Sequence, residues 1–284
     1  MAFRFAKWSA WAAVIATTAC GVSVTQPISA GVGSTLDATA ADAAVNAPPI
    51  DPVNQGLVAY WKLDESGPID EVVDATGNGH TGVPINGALP SSVHAPVRFS
   101  DPASRTFDGS SQYILIANSP ELDFTGEITL AAWVNVASIT DGCHYVVAHG
   151  YCYTPPGEVA LRIGSDTCGP GGSPHNWAAG AWLSAEHSAV TPTTDADLNM
   201  WIHIAGVYDG QAWILYKNGD EVARQTSTVG AVPVQAAWAI GARAPAVAPC
   251  MPAPVERFWD GSIDDVRIYR RALSPSEMLE LYHL

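Results

Sequence analysis

From Gly56 onward the chain is written in short apolar runs, each closed by Gly, Asn, Asp or Pro, and this rhythm constrains the fold more than any other feature. Runs rich in β-branched and aromatic residues, too short for helices and bounded by turn formers, specify strands. Strands are expected over Leu57–Leu63, Val97–Phe99, Tyr113–Ile116, Ile128–Val136, Tyr145–His149, Val159–Ile163, Trp177–Ser184, Trp201–Tyr208, Ala212–Lys217, Glu221–Gln225, Trp238–Ala242 and Ser262–Tyr269. Asn218-Gly219 joins two of them, and both residues tolerate the positive φ of a tight hairpin. One helix is expected, over Glu277–Tyr282. It opens with Ser274-Pro275-Ser276-Glu277, a capping box with Pro at the first helical position. The pattern predicts an all-β sandwich whose C-terminal helix closes one edge.

Ahead of Gly56 the texture differs. Arg4 and Lys7 precede an apolar stretch, Trp8 to Ala16, of signal-peptide length and too short to span a bilayer. Thr17-Thr18-Ala19-Cys20 then resembles the lipobox of bacterial lipoproteins, in which the cysteine is lipidated; ordinary cleavage near Ala19 or at Ser29-Ala30 is the alternative. Residues 21–55 are rich in Ala, Val, Thr, Ser, Gly and Pro, with almost no large side chains, and read as a flexible tether. The expected organisation is a signal segment over 1–20, a tether over 21–55 and one folded domain over 56–284. The protein is expected to be exported, held at the outer membrane or cell surface, or secreted.

The five cysteines fit that setting. Setting Cys20 aside leaves Cys143, Cys152, Cys168 and Cys250, an even set that suggests two disulfides. Three connectivities are open. The short run between Cys143 and Cys152 favours Cys143–Cys152 with Cys168–Cys250. No Cys/His spacing supports zinc.

The net charge of −15 and the isoelectric point near 4.7 argue against nucleic acid and anionic membrane as partners, since both demand clustered Lys and Arg. Contact with a membrane is expected only through the lipid anchor.

Seven stretches stand in an order that resembles the LamG-like jellyroll family of the concanavalin A-like lectin/glucanase superfamily. They are Gly56–Trp61 with Leu63-Asp64-Glu65, Asp74–His80, Phe107–Ser110, Leu130–Val134, Trp201–Gly210, Leu215–Gly219, and Gly261–Tyr269 with Arg271–Ser274. The resemblance implies a two-sheet antiparallel jellyroll. It also implies a structural calcium held by a loop and the terminal strand. Carried onto this chain, Asp74, Asn78 and Asp264 would supply side-chain ligands, and Gly77 or His80 carbonyls. The alternative is that Asp74 and Asn78 only shape a turn and that Asp265 is a solvent-facing partner of Arg267.

Ten Trp is high for 284 residues, and indole rings both fill cores and stack on sugar faces. Strand parity sends Leu130, Ala132 and Val134 inward and Trp133 outward. Trp133 belongs to the fold motif and is expected to be structural. Trp177, Trp182 and Trp238, with His175 and Asn176, are the candidate ligand surface.

Catalytic signatures are missing. No E-x-D-x-x-E glutamate pair, nucleophile elbow, metalloprotease helix or phosphate loop is present. The expected function is therefore a surface-tethered module, not an enzyme, that binds a carbohydrate or a cell-surface or matrix protein. A glycan hydrolase or lyase with an unrecognised site is one alternative, and it would need a carboxylate or Tyr/His pair converging in the groove. A purely structural surface protein is another.

Overall fold

The computed structural model describes residues 52–68, 70–139, 142–153, 156–164, 175–244 and 255–284. Expectations for residues 1–20, for the lipidation site Cys20 and for most of the 21–55 tether lie outside these residues, as do Cys168 and Cys250. Among the described residues no helix is long and apolar enough to cross a membrane.

Among the described residues, fifteen strands form two antiparallel sheets and one α-helix follows them. In chain order they are β1 (Leu57–Trp61), β2 (Gly82–Ile85), β3 (Leu89–Ser91), β4 (Ser104–Asp108), β5 (Tyr113–Ile116), β6 (Ile128–Val136), β7 (His144–Tyr153) and β8 (Pro156–Ile163). They continue with β9 (Asn176–Trp182), β10 (Glu186–Pro192), β11 (Trp201–Tyr208), β12 (Ala212–Lys217), β13 (Asp220–Thr226), β14 (Trp238–Ile240) and β15 (Asp260–Tyr269); a single helix, α1 (Pro275–Tyr282), follows. The first sheet runs β13-β12-β11-β6-β15-β4-β3, with β1 also on β15, and the second runs β10-β9-β8-β7-β14-β5-β2. This is the two-layer jellyroll sandwich that the sequence implied.

Alternation decides what lies between the sheets. Leu130, Ala132 and Val134 of β6 point into the main core with Leu161, Ile163, Trp177, Ala179 and Trp238 of the facing sheet. The neighbours of these residues along each strand face outward. On the first sheet α1 covers that outer surface. Trp133 is buried there against Tyr282 (ring centroids 5.5 Å apart) and His203 (5.4 Å). The helix is capped as its sequence predicts, with Ser274 and Glu277 exchanging both bonds of the box. Val53 packs into the same layer, so the folded unit begins a few residues ahead of Gly56.

The hairpin at Asn218-Gly219 forms, with φ of 53° and 86°. Four strands escaped the sequence reading: β2, β3, β4 and β10. The run expected at 97–99 is irregular instead.

The favoured disulfide pairing is corrected. Cys143 directly precedes β7 and Cys152 lies near its far end. On the neighbouring β8, their surroundings are marked by Ile163, opposite His144, and Gly157, opposite Cys152. Six residues of extended chain span about 20 Å, far beyond the 7 Å that a disulfide bridges. Non-reducing peptide mapping should therefore recover no peptide pair joining Cys143 to Cys152; bridges from either position would run to Cys168 or Cys250. Recovery of a Cys143–Cys152 pair would contradict the extended strand.

Candidate functional site

Two places on the sandwich hold buried polar groups that the fold itself does not need. The first lies on the outward face of the second sheet. In one row across three neighbouring strands stand Glu158 of β8, Trp182 of β9 and Glu186 of β10. Two residues along, Ala160 and Gly180 leave the floor low. A Cβ on Gly180 would lie 2.0 Å from Ser188 Oγ, so only glycine fits between β9 and β10. Two residues further, Arg162 stands beside Tyr145 of β7. Arg243, just after β14, and Arg257, just before β15, add two more guanidiniums. Together these residues and Tyr151 enclose a polar cavity of about 110 Å³.

The electrostatics of this cavity are unusual for an outer sheet face. Arg162 donates to Glu186 Oε1 at 2.7 Å, and Ser188 donates to the same oxygen. Arg243 donates to Glu256, which also meets Arg257 Nε at 3.2 Å, while Arg257 Nη1 donates to the Tyr145 hydroxyl at 2.9 Å. Burial drives the Tyr145 phenol up to about 12 and pushes the Glu158 carboxyl above its ordinary range. Glu158 Oε1 and Arg162 Nε are buried with no hydrogen-bond partner. Unmet polar groups of this kind are costly unless a ligand or water serves them. Trp182, half-buried, packs beside Tyr151 with ring centroids 5.3 Å apart.

Of the five expected ligand residues, Trp182 alone lines this cavity. Trp177 is fully buried in the core, its indole N–H donating to Asp197 Oδ2 at 2.9 Å. Trp238 is also fully buried, donating to the Leu122 carbonyl at 3.0 Å and stacking on His149 with ring centroids 4.7 Å apart. Burial holds the His149 ring neutral, its pKa lowered to about 4. His175 and Asn176 sit at the opposite end of β9 from Trp182. There the His175 carbonyl accepts from Thr193 and the Asn176 carbonyl from Gly164. Parity gives the reason: Trp177 and Trp182 are five apart on one strand and must face opposite ways. Glu158, Arg162, Glu186, Arg243 and Arg257 went unnoticed in the sequence because register alone assembles them.

The second place is acidic. A bulge in β15 shifts its register on β6 between Asp264 and Arg267, and Asp265 takes a φ of 48°. Bulges re-aim side chains. Here the bulge brings Asp264 and Asp265 together with Asp101, so that one oxygen of each lies within 4.8 Å of the others, all three buried. Asp64 reaches the Asp101 carboxyl from the loop after β1. Asp264 accepts from the Ala95 and Asp265 amides, and the Tyr60 hydroxyl donates to Asp265. Oxygens of Asp64, Asp101 and Asp265 have no donor. Burial is the largest cause raising the carboxyls of Asp101, Asp264 and Asp265, and their mutual repulsion adds to it.

This cluster corrects the expected ligand set. Asp74 is occupied otherwise: its oxygens accept from the amides of Tyr60, Thr76 and His80 and from the Thr76 hydroxyl. Those hydrogen bonds hold its carboxyl below the usual range against the opposing effect of burial. Asn78 donates to the Val58 carbonyl at 2.8 Å. Both residues shape the loop and pin it to β1. Asp265, expected at the surface, is buried. A hard divalent cation wants several oxygens and pays for their desolvation with its own charge. Asp101, Asp264 and Asp265, with Asp64 nearby, fit that demand.

Comparisons with known proteins agree with the architecture. The Laminin_G_3 family model, described as concanavalin A-like lectin/glucanases superfamily, matches residues 108–278, more than half of the chain. No curated protein matches the sequence. Among solved structures, domain 4 of AbnA, a GH43 extracellular arabinanase from Geobacillus stearothermophilus, in complex with arabinotriose, is similar at 19% identity and a TM-score of 0.57. The match covers 80% of this chain and 98% of that one. The binding domain of Paraclostridial Mosquitocidal Protein 1 is similar at 15% identity and a TM-score of 0.59, over 81% of this chain and 52% of that one. The binding domain of Botulinum Neurotoxin DC, in complex with SialylT, is similar at 8% identity and a TM-score of 0.54, with the same coverages. This chain thus spans about half the length of the toxin binding domains. At these identities the likeness carries the fold alone. On the family match and the two-sheet topology together, the chain belongs to the concanavalin A-like lectin/glucanases superfamily.

Proposed function

We propose that this protein is an exported binding module that recognises a carbohydrate at the cavity beside Trp182 and is braced by a structural calcium. The observation that carries the reading is the row Glu158, Trp182, Glu186 over a low floor of Ala160 and Gly180. An indole flanked by carboxylates, with the Arg162 guanidinium two same-face steps along β8, offers a sugar both a stacking face and acceptors for its hydroxyls. The arabinotriose complex of the AbnA domain, on the same fold, lends support. Replacing Trp182 with Ala should weaken glycan binding by roughly 30-fold, as loss of a central aromatic anchor does, with an unchanged melting temperature. Calorimetry on a glycan found by array screening measures it. Full binding by Trp182→Ala would remove the cavity from the account.

Calcium is proposed at Asp101, Asp264 and Asp265. Raised carboxyls favour the folded state at low pH, where they hold protons, and withdraw that support as pH rises through their folded values. A bound cation would replace the protons. The gap in melting temperature between calcium-loaded and EDTA-treated protein should therefore widen from pH 5 to pH 8. Taking the difference at each pH cancels the neutral buried His149 and His203, whose effect runs the other way. Asp264→Asn should abolish the gap. Equal melting with and without EDTA at every pH would sink the calcium site.

A second reading rests on one specific observation. Glu158 and Glu186 are two strands apart, with backbones roughly 9–10 Å from each other. Burial raises Glu158, and Arg162 pairs with Glu186. Carboxyls in contrasting environments on one sheet face suit the acid and base roles of glycoside hydrolysis. Release of reducing sugar from a bound glycan, lost in Glu158→Gln, would favour this reading; binding without turnover would favour the module.

A further inference from the structure

The charge around the Trp182 cavity does not match the charge of the molecule. The chain carries −15 overall and only ten arginines, yet three of them, Arg162, Arg243 and Arg257, line this one small space. Their counter-charges are unequal. Arg162 pairs with Glu186 at 2.7 Å, and Ser188 donates to the same carboxylate. Arg243 and Arg257 share a single carboxylate, Glu256, whose side chain is 42% exposed at the rim. The remaining acid, Glu158, is wholly buried among the three guanidiniums, and desolvation disfavours its charged form. The two guanidiniums nearest the rim, on Arg243 and Arg257, thus share one half-exposed carboxylate.

The guanidiniums are also held in place. Arg243 lies over the Tyr151 ring at 4.3 Å, and Arg257 and Arg162 lie over Tyr145 at 5.6 and 5.8 Å. Stacking of this kind fixes a planar fork before any ligand arrives, which reduces the ordering cost of binding. Two buried polar atoms in the lining, Arg162 Nε and Glu158 Oε1, have no protein partner. A planar fork that shares its rim carboxylate with a second guanidinium matches an incoming anionic group in a way that a neutral hydroxyl does not.

We propose that the cavity selects negatively charged glycans, placing the anionic group of one sugar unit, a carboxylate or a sulfate ester, on Arg243 and Arg257 while its ring lies against Trp182. This deepens the binding reading given above and rests on it. An uncharged sugar would find the same stacking face but would offer Arg243 and Arg257 no anionic partner.

The test uses the calcium-loaded protein and an array of paired glycans. Uronate and sialyl oligosaccharides are set beside their methyl esters, and sulfated oligosaccharides beside their desulfated forms. The acid or sulfated member of a pair should bind about tenfold or more tightly than its neutral partner, in keeping with a charge-assisted hydrogen bond; which pairs respond separates carboxylate from sulfate. Arg243→Gln should erase the preference for the charged member of each pair. The wild-type comparison needs no variant, so it stands even if Arg243→Gln unfolds. Equal affinity for charged and neutral partners would overturn the proposal and leave glycan binding intact. Silence of every glycan, charged and neutral, would overturn the proposal and the binding reading together.

Discussion

Strand β15 is the constraint on which the sandwich depends. Its N-terminal half pairs with β4 and its C-terminal half with β1, both along one edge, while β6 lines the other. The last strand thus joins the first strand to the middle of the chain. The bulge at Asp264-Asp265 falls where β4 gives way to β1. A bulge there costs ladder bonds and turns two adjacent carboxylates toward Asp101 instead of to opposite faces. The result is a concentration of buried carboxyls, their ionisation disfavoured by burial, at the seam where the sheet is tied together. Burying three carboxylates without compensation is expensive. A cation at the seam would turn that liability into a clasp, so the stability of the sheet and the charge of this cluster are one question.

The two outer faces are treated differently, and this positions the ligand site. On the first sheet α1 and the Pro52–Asn54 turn cover the face, and Trp133, His203 and Tyr282 form a packed layer beneath them. Burial holds His203 neutral, its pKa lowered to about 3. On the second sheet no helix lies over β8, β9 and β10 among the described residues. There the outward residues are charged or aromatic at the ends of the row and small in the middle. Exposed polar residues on a sheet face need no explanation, but buried and unpartnered ones do. Glu158 Oε1 and Arg162 Nε are atoms of the second kind.

Much of the fold was legible in the sequence because the central strands are locally consistent. The bounds of β5, β6, β11 and β12 match those expected from runs of β-branched and aromatic residues. The strands that escaped notice carry weaker local signals. β2 and β3 contain Pro84 and Pro90 and stand at the ends of their sheets, where proline is tolerated. β10 is polar and also an edge. β4 holds a buried arginine, Arg105, whose Nη1 donates to the carbonyls of Gly67 and Ala88. The ligand cavity was hardly legible, since Tyr145 and Arg257 lie more than a hundred residues apart and only sheet register unites Glu158 with Glu186. One signal was available: the odd spacing of Trp177 and Trp182 already excluded a shared face. Aspartates 101 and 265 were hidden for a related reason, because a bulge overrides the alternation from which sequence reasoning starts.

The central claim, that ligand meets the protein at Trp182 and not at its other tryptophans, can be read directly from the indole N–H resonances of the ten tryptophans during titration with a bound glycan. The account predicts that the Trp182 signal shifts while those of Trp177, Trp238 and Trp133 stay in place. Their rings are buried in the core or under α1. A ligand that left Trp182 unmoved, or that shifted Trp133 in its stead, would contradict the account and move the site to the opposite sheet.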